Sequence, residues 1–122
     1  MRIHHVAMRT ADLERLKRFY VDVLGFAVVP GHRARDRSAW LDAGSAVLML
    51  ERADEGEPEV TPGGMDLVAF GMGKASKEAW RARLERAGVP IEAETAYTLY
   101  FRDPDGRRVA VSDYPLPPAS PG

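Results

Sequence analysis

The stretch FYVDVLGF, residues 19–26, connects the end of a helix to the start of a strand. Apolar residues recur at spacings of three and four from residue 13 onwards, which predicts one apolar helix face formed by Leu13, Leu16, Phe19, Tyr20, Val23 and Leu24. Asp12 is placed to cap the start of this helix, and Gly25 lies just past its last turn, where a left-handed residue is favoured. Residues 26–29 predict a strand, so the stretch predicts a helix whose end reverses tightly into a sheet.

The same order of elements occurs again further along the chain. A second helix is predicted over residues 76–88, with Ser76 as its cap and Trp80, Leu84 and Ala87 on its apolar face. The predicted strands are residues 3–9, 26–29, 38–42 and 45–51 in the first half, and 65–72, 89–93, 97–102 and 107–113 in the second. Segments of the two halves also align at an offset of about 60 residues, as HVAMRT does with LVAFGM. The sequence therefore predicts an α+β fold made of two βαβββ modules.

The domain organisation follows from length and from the positions of Gly and Pro. The 122 residues suit a single domain, which we predict over residues 1–122. Module one is predicted at about 1–52 and module two at about 65–114. A linker rich in Gly, Pro and acidic residues is predicted over 53–64, and a flexible, proline-rich tail over 115–122.

Composition excludes several classes of function. Hydrophobic residues make up 45% and charged residues 29%, and the formal net charge of −1 gives no field for nucleic acid or an anionic membrane. Cysteine is absent, which excludes a Cys nucleophile, a thiolate metal site and disulfides. No apolar run is long enough for a signal peptide or a membrane span. We expect a cytoplasmic protein without nucleic-acid or membrane partners.

Three motifs carry a resemblance to a known family. They are IHHVAMRT at 3–10, FYVDVLGF at 19–26 and YFRDPDGRRVAV at 100–111. In this order and spacing they resemble the vicinal-oxygen-chelate (VOC) superfamily, which contains glyoxalase I, fosfomycin-resistance and bleomycin-resistance proteins and extradiol dioxygenases. The resemblance covers nearly all of residues 2–114. It implies that the modules form a curved, cup-shaped mixed sheet, the glyoxalase/bleomycin-resistance fold, and that the protein is a symmetric homodimer.

The resemblance also implies where a metal would bind. Metal-dependent members use a His on the first strand and a Glu on the last strand of each module, and these four positions are His5, Met49, Leu67 and Ala110 here. Met, Leu and Ala cannot hold a hard divalent cation, so we predict no metal and no cofactor. Glu51, on the same strand face as Met49, and Asp66, beside Leu67, are the residues that could restore a metal site.

Strand alternation predicts which side chains line the cup. The candidate ligand-binding residues are His5, Arg9, Trp40, Met49, Glu51, Leu67, Thr98, Tyr100, Arg102 and Ala110, and Arg108 shares their face. Fosfomycin-resistance proteins carry a similar Tyr at the place of Tyr100, and Trp40 holds the equivalent position in the first half. A mainly apolar concave surface with few polar groups is typical of a small-molecule site. Sheet packing or a dimer contact is the alternative for both aromatic residues.

His5 and Tyr100 are also the candidate catalytic residues. An imidazole has a reference pKa near ~6.5, which suits an acid/base role. The alternative for His5 is a lining residue without chemistry, because no Asp or Glu is clearly placed as its proton partner.

The first functional prediction is a metal-independent protein that binds a small molecule, similar to the bleomycin-resistance proteins of antibiotic resistance. Its candidate arginines point to a neutral or anionic ligand. The alternatives are a glyoxalase-like metal-dependent lyase, isomerase or dioxygenase, a metal-free biosynthetic enzyme using His5 or Tyr100 as acid/base, and a dimer module without a ligand.

Overall fold

The computed structural model describes residues 1–30 and 37–117. The chain divides into two compact units, Met1–Val60 and Thr61–Gly122, and each contains a four-stranded mixed sheet. The first unit consists of β1 (His5–Thr10), α1 (Leu13–Arg18), β2 (Ala27–Val28), β3 (Ser38–Asp42) and β4 (Val47–Arg52). The second consists of β5 (Leu67–Gly71), α2 (Lys77–Arg86), β6 (Ala93–Glu94), β7 (Thr98–Arg102) and β8 (Arg108–Ser112). The predicted α+β fold with two βαβββ modules is confirmed. Residues 118–122 of the predicted tail lie outside the described residues.

The first sheet has the strand order β1-β4-β3-β2. β1 runs parallel to β4, and the other two pairings are antiparallel. One face of this sheet packs against α1 and buries Met8, Leu41, Leu48 and Leu50 beside Leu13 and Leu16 of the helix. The alternate residues of the same strands therefore lie on the opposite face.

The stretch FYVDVLGF ends the helix at Gly25 as predicted, but its last turn is a π-helix. α1 ends at Arg18, and residues Phe19–Val23 continue as a π-helical turn in which the Leu24 amide donates to the Phe19 carbonyl at 3.2 Å. The wider turn lets two consecutive aromatic residues, Phe19 and Tyr20, enter one core, where their ring centroids lie 5.2 Å apart. Gly25 then adopts a φ of 84°, which ends the helix as expected.

The second sheet repeats the pattern with the order β5-β8-β7-β6. Ser76 caps α2 by accepting from the Ala79 amide at 3.1 Å, and Trp80 donates through Nε1 to the Met72 carbonyl at 3.0 Å. Leu84 of α2 is fully buried, and α2 lies against β7. None of the helices in the part of the chain that the structure describes could cross a membrane.

Two predictions in the second unit are wrong in detail. Ala87 was predicted on the apolar face of α2, but it is the exposed C-cap residue, one position past the end of the helix. The predicted strand at 89–93 lies instead at Ala93–Glu94. The Val89 amide is used to close the helix end on the Leu84 carbonyl, and Pro90 has no amide hydrogen to give to a sheet.

The turn between β7 and β8 sets the register of the second sheet. Asp103 is buried and accepts hydrogen bonds from the amides of Asp105 (2.9 Å) and Arg107 (3.1 Å). Gly106 supplies a φ of 84° at the end of the turn. The resulting register places Tyr100 opposite Ala110.

Candidate functional site

The candidate residues of the first unit share one sheet face. We call the face of the first sheet opposite α1 "face one"; its side chains on β1, β3 and β4 are His5, Ala7, Arg9, Ser38, Trp40, Asp42, Val47, Met49 and Glu51. The strand register places Met49 between Ala7 and Trp40, and Glu51 beside Arg9. Five of the ten residues nominated as ligand-binding therefore lie together on this face.

Arg9 does not present a free positive charge on face one. Its Nε and Nη2 atoms donate to the two carboxylate oxygens of Glu57 at 3.0 and 2.7 Å. Nη2 also lies 3.4 Å from Asp54, and Nη1 lies 3.6 Å from Glu51. The hydrogen bond from Arg9 lowers the pKa of Glu57 to about 2. Three carboxylates thus surround one guanidinium, so this site has no net attraction for an anion.

Glu57 was not among the candidate residues because it lies in the predicted linker. Its acidic neighbourhood was visible in the sequence, but a loop has no periodicity that ties it to a strand face. The network also shows what the linker does in the first unit: Asp54 and Glu57 close over the end of β1 through Arg9.

His5 is exposed on face one, and its partner is the preceding residue. The Nδ1 atoms of His4 and His5 lie 3.0 Å apart, and the two rings meet edge to face with centroids at 5.2 Å. In such a contact one imidazole donates its proton and the other accepts it. Among the described residues no carboxylate contacts His5, so the orienting group for this imidazole is a second imidazole.

The candidate residues of the second unit lie in three rows that cross the sheet. We call the face of this sheet opposite α2 "face two". The register gives a basic row, a middle row and a hydroxyl row: Leu67–Arg108–Arg102, Ala69–Ala110–Tyr100 and Gly71–Ser112–Thr98. The Thr98 and Ser112 hydroxyl oxygens lie 2.7 Å apart. Face two therefore has charge at one end, small side chains and one aromatic ring in the middle, and hydroxyls at the other end.

Arg102 is engaged within its own unit. It pairs with the Glu92 carboxylate through both Nε and Nη2, the latter at 2.7 Å, and its Nη1 donates to the Gly64 carbonyl at 2.6 Å. The pKa of Glu92 is lowered chiefly by this hydrogen-bonded pairing with Arg102. Arg102 thus holds a loop and a carboxylate in place at the edge of face two.

On face two, the N–H donors of the Arg108 side chain make no hydrogen bond within the part of the chain that the structure describes. Its guanidinium carbon lies 4.4 Å from the centre of the Tyr100 ring, within cation–π range. Its Nε is buried without a hydrogen-bond partner, although Glu92 approaches to 3.8 Å. Alternation along β8 predicts that Arg108 lies on this face, but the sequence does not show that Arg107 is paired with Asp103, at 2.6 Å, while Arg108 makes no hydrogen bond among the described residues.

The side chains at the family's metal-ligand positions do not fit a metal. Met49 is half-buried on face one, and Leu67 and Ala110 lie on face two, so three of the four positions offer no oxygen or nitrogen donor. Across residues 1–30 and 37–117, no three His, Asp or Glu side chains converge as a cation site would require. Neither Glu51, which lies beside Arg9, nor Asp66 belongs to such a group.

Comparison with known proteins gives the family. The family model described as Glyoxalase/Bleomycin resistance protein/Dioxygenase superfamily matches residues 2–111. The chain belongs to this superfamily. The virulence protein STM3117 of Salmonella typhimurium is 28% identical, with 93% of this chain and 84% of that protein aligned.

Solved structures agree on the fold. A lactoylglutathione lyase from Agrobacterium tumefaciens superposes with a TM-score of 0.68 at 24% identity, covering 91% of this chain and 92% of that one. A fosfomycin resistance protein from Listeria monocytogenes gives 0.69 at 13% identity, covering 89% and 87%. Proteins with different activities share this fold, so the residues of the two faces must be considered on their own.

Proposed function

We propose that this superfamily member binds a small organic molecule without a metal, with its main contacts on face two. The observation that carries this proposal is the order of the three rows. A largely apolar middle, formed by Ala69, Ala110 and Tyr100, lies between a basic row and a hydroxyl pair. Few polar groups around an apolar surface are what a small-molecule site requires, because apolar contact supplies affinity and the polar groups fix orientation.

The chemistry of the lost ligand positions supports metal independence. Thioether, isobutyl and methyl groups replace carboxylates and an imidazole at Met49, Leu67 and Ala110. The Met49 and Leu67 side chains favour contact with carbon atoms of a ligand, whereas Ala110 is fully buried. Leu67 keeps 40% of its surface exposed, so it is available for such a contact.

The first test is metal content and metal titration of untagged protein. We expect far less than one equivalent of bound metal, and no calorimetric heat with Mn²⁺, Ni²⁺ or Zn²⁺ beyond that of the His5→Ala variant. One equivalent of tightly bound metal that His5→Ala releases would contradict metal independence. It would make the glyoxalase-like lyase, isomerase or dioxygenase the better hypothesis, with Glu51 or Asp66 as a ligand.

The second test is a compound screen followed by NMR of ¹⁵N-labelled protein. Neutral and charged compounds are included, with bleomycin and fosfomycin among them, since binding of an antibiotic is the resistance hypothesis. We expect shifts at β7 and β8 amides and at the Arg108 Nε–H. The Trp80 indole, which donates to Met72 behind α2, should not move. A screen in which no compound shifts these signals would contradict the proposal.

The His4–His5 contact favours a second candidate, a metal-free enzyme that uses His5 as acid/base. A neighbouring imidazole at 3.0 Å fixes the ring and leaves Nε2 of His5 for a substrate. In this case His5→Ala should abolish turnover but retain ligand affinity. Tyr100→Phe makes the same test for the Tyr100 hydroxyl. Unchanged turnover in both variants would exclude these two residues as catalytic.

We also infer that the protein is a homodimer. β1 and β5 are edge strands of their sheets, and apolar side chains near them, such as Ile3 and Met65, are exposed in the single chain. Light scattering should give twice the 13.5 kDa chain mass. A monomer over the whole concentration range would contradict this inference.

A further inference from the structure

We propose that the ligand of face two is an organic monoanion, a carboxylate above all, and that Arg108 binds its charged end. This inference rests on the proposed function, because it needs a ligand on face two. It adds the chemical class of that ligand and the residue that selects it.

Arg108 has the hydrogen-bonding capacity that such a ligand needs. Only 14% of its side chain is exposed, and its buried Nε has no hydrogen-bond partner. Among the described residues, the recorded interactions of its guanidinium are the cation–π contact with the Tyr100 ring at 4.4 Å and the Glu92 oxygen at 3.8 Å, which is beyond hydrogen-bond distance. A buried guanidinium without hydrogen bonds is unfavourable, and a carboxylate is the group that satisfies two of its N–H donors at once.

The local charges favour an anion with one charge. Two arginines, Arg102 and Arg108, share one carboxylate, Glu92, so the group has a formal charge of +1. Glu92 uses both of its oxygens on Arg102, which leaves the positive charge at Arg108. A dianionic phosphate group would keep one negative charge uncompensated beside a group whose formal charge is +1.

The other side chains of face two indicate the size and polarity of the uncharged part of the ligand. Next to the basic row, Ala69 and Gly71 are exposed and carry little side-chain bulk beside the Tyr100 ring, whereas the nominated Ala110 is fully buried and does not itself reach a ligand. Ser112 lies four residues from Arg108 along β8, which is about 13 Å. The surface between them therefore suits an aromatic ring or a short alkyl chain attached to the carboxylate. At its far end, one proton of the Thr98–Ser112 hydroxyl pair remains for a polar group of the ligand.

Tyr100 positions Arg108. The ring supports one face of the guanidinium, so the N–H edges stay directed along the sheet surface. Replacement by leucine keeps an apolar side chain but removes the π face. We expect Tyr100→Leu to weaken the binding of the carboxylate more than that of the matching amide. Both ligands lose the contact with the ring, but only the carboxylate also loses the positioned guanidinium.

Pairs of probes that differ only in charge test this inference. Benzoate, phenylacetate, 3-phenylpropionate and hexanoate are titrated against the protein beside their primary amides, by calorimetry and by NMR of the Arg108 Nε–H. We expect at least one acid to bind about tenfold or more tightly than its amide. In Arg108→Gln the preference for that acid over its amide should be lost, because the charge that distinguishes the two probes is no longer matched.

Two further variants make the test independent of folding defects. Arg83→Gln is the matched control, because Arg83 also lies over an aromatic ring, Trp80 at 5.2 Å, but on α2; it should keep the full preference for the acid. Glu92→Gln removes the competing carboxylate and should raise the affinity for the acid several-fold. A destabilised protein would not gain affinity.

The outcomes separate this inference from the proposed function. Equal binding of acid and amide, or an unchanged preference in Arg108→Gln, overturns the inference while a small-molecule site on face two stands. Binding of neutral screening compounds alone has the same meaning. If neither the acids nor any screening compound binds, the proposed function fails as well.

Discussion

Two adjacent arginines in the second unit, Arg107 and Arg108, show how differently one side-chain type can be used. Arg107 is bound to Asp103, whose side chain is fully buried, at 2.6 Å, while Arg108 keeps its donors and rests on an aromatic ring. The first arginine fixes a turn and the second is available to a ligand. A one-residue shift of register would exchange their places, so the rigidity of the turn determines the chemistry of face two.

We expect Asp103→Asn to destabilise the protein by about 3 kcal/mol. The change removes the carboxylate nearest to Arg107, whose side chain is 15% exposed, and leaves Asp105 at 3.7 Å to compensate the charge in part. Breaking a buried pair costs about 3–5 kcal/mol, so the expected loss lies at the lower end of this range. Urea unfolding followed by circular dichroism measures the loss. Asp22→Asn, on the exposed side of the first helical segment, should stay within about 0.5 kcal/mol of the parent. Equal effects of the two changes would show that the Asp103–Arg107 pair does not stabilise the turn.

The lowered pKa of Glu57 predicts how the stability of the protein depends on pH. The folded pKa of Glu57, about 2, is lowered by the hydrogen bond from Arg9 and lies below the ordinary value of 4.5. The stabilisation is therefore fully present above pH 4.5 and is lost as the pH falls from 4.5 towards 2. Thermal unfolding between these limits should show a smaller decrease of Tm in Glu57→Gln than in the parent, while Glu59→Gln in the same loop should follow the parent. A Glu57 carboxyl signal that titrates near 4.5 by NMR would rule out the Arg9 pairing in solution.

At the residue scale, the sequence predicts on which sheet face a charged side chain lies better than it predicts the opposite charge that this side chain contacts. Alternation along β1, β7 and β8 placed Arg9, Arg102 and Arg108 on the faces where they lie. Of the carboxylates beside them, Glu57 comes from the predicted linker, which has no period to read. Glu92 comes from residues 89–93, which the sequence predicts as a strand but which precede or only reach the start of β6. The sequence predicts several arginines that could bind a ligand. In the structure Arg9 and Arg102 are paired with carboxylates, and Arg108 is the one of the three whose side chain makes no hydrogen bond among the described residues.

At the scale of the elements, the sequence predicts the helix-to-strand connection of residues 19–26 well. The same connection contains a π-helical turn that the sequence does not predict. The spacing of apolar residues, the Asp12 cap and the position of Gly25 all predict a helix that ends where it does. The π-helical turn was not predictable, because apolar spacing cannot distinguish four from five residues per hydrogen bond over a single turn. The displaced β6 has a similar cause, since it depends on how the α2 end uses the Val89 amide.

Gly25→Ala should destabilise the first unit by about 1 kcal/mol or more. An alanine at a φ of 84° is strained, whatever space surrounds it. Chemical denaturation measures the change. The matched control is Gly71→Ala, because Gly71 lacks a positive φ and an added Cβ there meets no atom within 4 Å; its stability should be equal to or slightly above that of the parent. A Gly25→Ala protein as stable as Gly71→Ala would mean that the left-handed turn is not needed.

At the scale of the whole molecule, a net charge of −1 conceals the feature that matters for binding. Face one cancels its arginine with three carboxylates, whereas face two retains a formal charge of +1. The repeat visible in the sequence predicts that the two sheets have the same strand order, as they do. It cannot predict this difference, because Asp54, Glu57 and Glu92 lie outside the strands, and Glu51 of β4 has no acidic counterpart in β8. Superfamily membership likewise fixes the fold and leaves the ligand to these local charges.

A bound carboxylate should stabilise the whole protein against heat. A ligand present at 100 times its dissociation constant adds about 2.7 kcal/mol to the free energy of unfolding, and for a chain of this size the Tm should rise by roughly 10 °C. Differential scanning calorimetry with the best-binding acid measures this shift, and the same concentration of chloride controls for a general effect of anions. The matching amide should give a smaller rise in the parent, and acid and amide should act alike in Arg108→Gln. A rise that persists in Arg108→Gln and is equalled by chloride would show that the acid stabilises the chain without occupying face two.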